Sequence, residues 1–163
     1  MDPRSELIRE VFAQFGRAYF EAQSVEKELM VLLATVLGPG DDWLNQNGMA
    51  VLLDRYSKNT FGQLAYELKK KGVPTVVLDE IEAAVKDRNW LAHNYFWDRA
   101  IDFAREDKRE GMVKELAAMA DRFAALDAKL TPLVRKWGSD RGVTDEVVRQ
   151  TMDRMMSEVG ESA

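Results

Sequence analysis

The chain has 163 residues, 46% of them hydrophobic and 31% charged, with a formal charge of −5 at neutral pH. That describes one globular domain with enough apolar material for a real core. It argues against broad binding along nucleic-acid backbone, which needs a basic face. The absence of cysteine and the single histidine exclude disulfides and thiolate chemistry, and leave a zinc site without its usual ligands in one chain. No metal and no cofactor is expected.

No segment approaches the roughly 20 apolar residues of a membrane span. Residues 1–9 mix charged and apolar side chains and lack the uninterrupted apolar core of a secretory signal. The expectation is a cytoplasmic, single-domain protein over residues 1–163, with no membrane partner.

The pattern predicts helices throughout. Ile8, Val11, Phe12, Phe15, Tyr19, Ala22, Leu29, Leu33 and Val36 recur at three-four spacing and predict one long helix over about 5–37. Gly38-Pro39-Gly40 should end it. Residues 41–59 are mixed, with a short helix possible at Met49–Tyr56. Asn59-Thr60 reads as the cap of a helix through Lys71, stopped by Gly72. Pro74 should open a helix from about Val76 to Phe96. Another spans about 108–137, with Met112, Leu116, Met119, Phe123, Leu126 and Leu130 as its stripe and Pro132 expected to kink or interrupt it. After a loop at Gly138–Gly142, residues 145–158 read as a last, peripheral helix whose Met152, Met155, Met156 and Val159 form an apolar stripe. No alternating strand pattern of useful length is present. The expected fold class is an all-α bundle of four to six helices.

The only histidine, His93, sits in the run Arg88-Asn89-Trp90-Leu91-Ala92-His93-Asn94-Tyr95. In a chain with no cysteine and a single histidine, His93 is the natural proton carrier near neutral pH. Arg88 could clamp an anion and Asn89 could orient a substrate. Residues 86–109 are slightly basic within an acidic chain, which allows a small basic cleft.

Projected at about 100° per residue, the 76–96 stripe comprises Val77, Leu78, Ile81, Ala84, Val85, Leu91 and Ala92. Arg88 falls near its middle, and Asn89 and His93 share its edge. In the first helix Glu26 falls inside the stripe and Glu28 points to solvent. A charge in an apolar stripe needs a partner, so Glu26 and Arg88 are expected to meet where the two helices pack. Singly, such residues are more often structural than functional: an arginine in a stripe is commonly an ion pair, and a lone histidine is commonly packing or surface. Their convergence on one helix is what points to chemistry. Lys69-Lys70-Lys71 reads most simply as a solvated helix end. Trp90 and Trp97 should pack under a loop or a second subunit.

The run from Arg88 to Tyr95 resembles the signature of the HEPN superfamily, an arginine, a polar residue, and a histidine five positions after the arginine. Tyr95, two past the histidine, is similar to the pattern of HEPN toxins paired with minimal nucleotidyltransferases. The long first helix with an inward Glu26 is similar to the family's helix before the motif. The resemblance implies a helical two-fold homodimer whose two motifs face each other in a cleft, and often a metal-independent endoribonuclease acting as a toxin or defence effector. On that resemblance Arg88, Asn89 and His93 are the candidate catalytic residues: Arg88 stabilises phosphate and organises the site, Asn89 is the polar position beside it, and His93 moves the proton. Glu26 and Tyr95 are supporting residues, Tyr95 being the nucleotide acceptor in the toxin subset. The implied partners are an RNA substrate, a second copy of the chain, and an antitoxin or nucleotidyltransferase. Members of one fold need not share an activity. A silent helical interaction module is therefore the competing reading, and a nucleotide-modified partner of a nucleotidyltransferase is a third.

Overall fold

The computed structural model describes residues 3–37, 55–56, 58–70 and 75–140 and the single positions 142, 146 and 149, with backbone alone at 3–5 and 34–37. Among them are six helices: α1 Pro3–Leu37, α2 Phe61–Lys69, α3 Thr75–His93, α4 Tyr95–Asp98, α5 Ala100–Ala104 and α6 Glu106–Ser139. No strand occurs among the described residues, and the all-α expectation holds. None of the described helices is long and apolar enough to cross a membrane.

The two long helices, α1 and α6, form the frame and share the most extensive packing. At 35 and 34 residues each is about 50 Å long. Val11, Ala18, Ala22, Val25, Leu29, Leu32 and Leu33 of α1 are buried, as are Met112, Leu116, Met119, Phe123, Leu126 and Leu130 of α6. Their cross-links fix the directions. Arg17 pairs with Asp121, and Glu28 lies beside Asp127, Thr131 and Arg135, so α1 and α6 run the same way. Helix α3 runs opposite to both. Its Arg88 meets Glu26 of α1, while Asp87 and Glu80 reach Arg122 and Lys129 of α6 at 2.7 Å each.

Helix α2 starts on a capping box: the Gln63 N–H donates to the Thr60 hydroxyl at 3.3 Å and the Thr60 N–H donates to Gln63 Oε1 at 2.7 Å, matching two otherwise orphaned donors. Phe61, Leu64, Ala65 and Leu68 carry it into the core. Lys69 and Lys70 pair with Glu82 and Glu67.

The structure corrects the sequence reading at several points. The motif helix ends at His93 rather than near Phe96, because Asn94 leaves helical geometry at φ −127°, ψ −17°. The Asn94 side chain makes no cap bond there, while its N–H still donates to the Trp90 carbonyl at 2.8 Å. The chain resumes as α4, so Tyr95 is not on the motif helix. Pro132 does not interrupt α6, which continues to Ser139. Pro132 and Ala128 are both exposed, so the carbonyl four residues back, which proline cannot serve, lies on the watered side. Phe12, placed in the α1 stripe, is 52% exposed. Glu28, placed in solvent, is half-buried against α6. The expectations for Gly38-Pro39-Gly40, Gly72, Pro74 and the stripe of Met152, Met155, Met156 and Val159 lie outside the described residues, as do residues 49–54 of the expected Met49–Tyr56 helix; its last two residues, Arg55 and Tyr56, are helical, with Tyr56 buried.

Candidate functional site

Helix α3 positions the motif. Leu78, Ile81, Ala84 and Leu91 are its buried face, and Arg88 stands in line with them. Its guanidinium Nη2 donates to Glu26 Oε2 at 3.4 Å, and its Nη1 donates to Asn89 Oδ1 at 3.3 Å. The two charged side chains are 22% and 18% exposed. They are therefore less deeply buried than two stripe centres imply, and water reaches one side of the pair. Arg88 Nε is buried and has no acceptor. Asn89 and His93, one turn apart, are exposed on the neighbouring face. His93 is the last residue of α3, and no hydrogen bond or ion pair of its side chain occurs among the described residues. An organised cation, an amide and an open imidazole thus lie along the last two turns of one helix.

Tyr95 is placed differently. It is 1% exposed, its hydroxyl donating to the Met112 carbonyl of α6 at 3.5 Å. Its ring is packed among Trp90, Phe96 and Phe15 at centroid distances of 5.0, 5.4 and 5.9 Å. Burial, reinforced by the nearby Glu115 carboxylate, pushes the phenol above its ordinary range. It is a neutral core residue, turned away from the face that carries Asn89 and His93.

A second polar network, without any local signal in the sequence, lies just past the motif. Arg99 donates through Nε and Nη2 to both Glu115 oxygens at 2.9 and 2.6 Å, a bidentate pair that holds the guanidinium more firmly in its charged form. The same guanidinium lies over the Trp90 ring at 5.2 Å, and Trp90 Nε1 donates to Asp98 at 2.7 Å. Trp90 is half-buried within the chain itself, held by Asp98 and Arg99. Arg99 and Glu115 also line a shallow depression of about 390 Å³ with Asp102, Lys108, Gly111 and Met112.

Four large apolar side chains are exposed on the elements that surround the motif: Phe12 and Phe20 on α1, at 52% and 65%, and Trp97 and Ile101 beyond its end, at 85% and 76%. Phe12 nevertheless touches Phe96 and Phe103, each at 5.5 Å between ring centroids, so an aromatic cluster runs from the core out to this surface. Among the described residues no group of three or more histidine, cysteine, aspartate or glutamate side chains converges as a metal site would require.

Compared with family models, with curated proteins and with solved structures, the chain matches none.

Proposed function

We propose that the chain is a metal-independent endoribonuclease of HEPN type, working as a two-fold homodimer and serving as a toxin or defence effector. The observation that carries this reading is the arrangement on α3: Arg88 is braced by Glu26 and Asn89 at 3.4 and 3.3 Å, and the only histidine is open to solvent at the end of the same helix. Bracing limits the motion of the cation that would meet a phosphate, and exposure leaves the imidazole open to exchange a proton.

The chemistry follows from what these groups can do. The ribose 2′-hydroxyl attacks the adjacent phosphorus, a new 2′-O–P bond forms, and the P–O5′ bond breaks. One imidazole takes the 2′-hydroxyl proton and a second, protonated one gives its proton to the leaving 5′-oxygen. Arg88 stabilises the charge that builds on the non-bridging oxygens. The product ends are a 2′,3′-cyclic phosphate and a 5′-hydroxyl. One chain supplies one histidine, and a dimer supplies two, so assembly would provide the missing partner. The exposed Phe12, Phe20, Trp97 and Ile101 support such an interface, since apolar surface of this kind around a site marks association.

A silent interaction module with the same dimer is the second reading. It is favoured by one observation: both terminal nitrogens of Arg88 already have acceptors within the chain. The nucleotide-acceptor reading is weaker, because the Tyr95 hydroxyl is turned into the core. The deciding experiment incubates the purified protein with structured and unstructured RNA in EDTA, beside His93→Ala. Cleavage by the parent and not by the variant supports the nuclease. A parent inert on both RNAs leaves the module.

A further inference from the structure

We propose that Trp90, Asp98, Arg99 and Glu115 form a clasp that positions His93, with Glu115 of α6 as its anchor. The His93 side chain has no hydrogen-bond or ion-pair partner among the described residues. Its place is therefore set by the backbone of the last turn of α3 alone. That turn is closed by the Asn94 N–H donating to the Trp90 carbonyl at 2.8 Å, but regular geometry is lost at Asn94 itself, which makes no side-chain cap bond.

The clasp compensates. Trp90 stands three residues before His93, on the same final turn. Its indole N–H reaches over the break to Asp98 at 2.7 Å, joining the end of α3 to the end of α4. Arg99 covers the indole face at 5.2 Å and is itself held at both nitrogens by Glu115, at 2.9 and 2.6 Å. Glu115 neighbours Leu116, which is fully buried, so the anchor stands beside the packed face of α6. Each link is directional, and the chain of contacts is continuous from α6 to the turn that carries the imidazole. Reactions that depend on placed groups lose roughly 100-fold for a displacement of about 1 Å, so a histidine held only through its backbone needs such a support.

The clasp deepens the ribonuclease reading, and its kinetic arm rests on that reading. Its second arm does not. The chain has one histidine, so histidine-selective labelling gives a single imidazole Cε1–H signal in NMR. Trp90→Phe keeps the ring and removes the bond to Asp98; Asp98→Ala removes the same bond from an exposed position and spares the core; Glu115→Ala releases Arg99. Each should shift or broaden the His93 signal and lower kcat on RNA by about 10- to 100-fold, with KM within about twofold because no substrate contact is removed. Asp98→Asn, which keeps the acceptor for the single Trp90 bond, should restore both readouts, and Glu115→Asp, which keeps both carboxylate acceptors, should restore them in part. Wild-type signal and kcat in a folded Asp98→Ala protein overturn the clasp. If the parent cuts no RNA, the nuclease reading falls, and the NMR signal alone decides whether His93 is positioned this way.

Discussion

Arg88 of α3 and Glu26 of α1, 62 residues apart in the chain, are joined at 3.4 Å, and each interrupts an otherwise apolar stripe. The contact fixes the crossing of the two helices and aims the guanidinium along α3 toward Asn89. Stability and candidate chemistry therefore depend on one ion pair.

Removing one partner of that pair should destabilise the fold. Exposed pairs contribute up to about 1 kcal/mol and buried ones cost about 3–5 kcal/mol when broken from one side. With side chains about one-fifth exposed, Glu26→Ala should fall between, at about 1–3 kcal/mol. Thermal unfolding followed by circular dichroism should then show a drop of several degrees. An unchanged melting temperature would mean that the contact has no energetic weight.

Loss of the imidazole should abolish cleavage without harming the fold, because His93 is exposed. His93→Ala should cut RNA about 10²–10⁴ times more slowly in EDTA, with the parent's melting curve. Arg88→Ala should be equally inactive but also less stable, since it leaves Glu26 alone. Asn89→Ala, which removes only the brace at 3.3 Å, should be milder. A His93→Ala protein as active as the parent would sink the mechanism.

The apolar surface next to the motif should carry the dimer. Trp97→Glu and Ile101→Glu place a charge on a surface that a partner would cover, at positions 85% and 76% exposed in the single chain. Sedimentation velocity at micromolar concentration should show a dimer for the parent and a monomer for each variant, with cleavage lost alongside. A parent that sediments as a monomer would remove the two-histidine site.

A carboxylate pair on the α1–α6 seam should respond to pH. Glu28 is pushed above its ordinary value of 4.5 by burial and then by the Asp127 charge, and Asp127 is raised above 3.8 by burial. The folded protein thus binds these protons more readily than the unfolded chain does. The sites favour the fold fully below their unfolded values, and that advantage is lost as pH rises through the elevated folded values. Glu28→Gln should accordingly melt higher than the parent at pH 7, and the two should converge as pH falls below 4.5. A variant less stable than the parent at pH 7 would show that the ionised carboxylate is instead favourably held, by Thr131 and Arg135.

Periodicity made the frame legible. Met112, Leu116, Met119, Phe123, Leu126 and Leu130 form a three-four series, and all six are buried. The Glu26–Arg88 contact was legible too, because a charge in a stripe on each of two helices leaves few other solutions. The break at Asn94 was hidden, since the apolar series passes through Leu91 and Tyr95 as if the helix continued. Glu28 was misplaced because projection onto a single helix ignores how far a long neighbour extends: α6 covers a flank of α1 that one stripe does not reveal. The Arg99–Glu115 bridge joins two elements in three dimensions, with no periodic relation between its partners in the chain.

The parallel course of α1 and α6 has a consequence for biosynthesis. Helix α1 is complete at Leu37, yet the helix that covers most of its apolar face begins only at Glu106. At about 5–20 residues per second, a ribosome needs several seconds to bridge that interval. During that time only α2 and α3, which also pack on α1, can cover part of its apolar face. Arg88 precedes Glu106 in the chain, so Glu26 can come to rest against Arg88 before the α1–α6 seam closes.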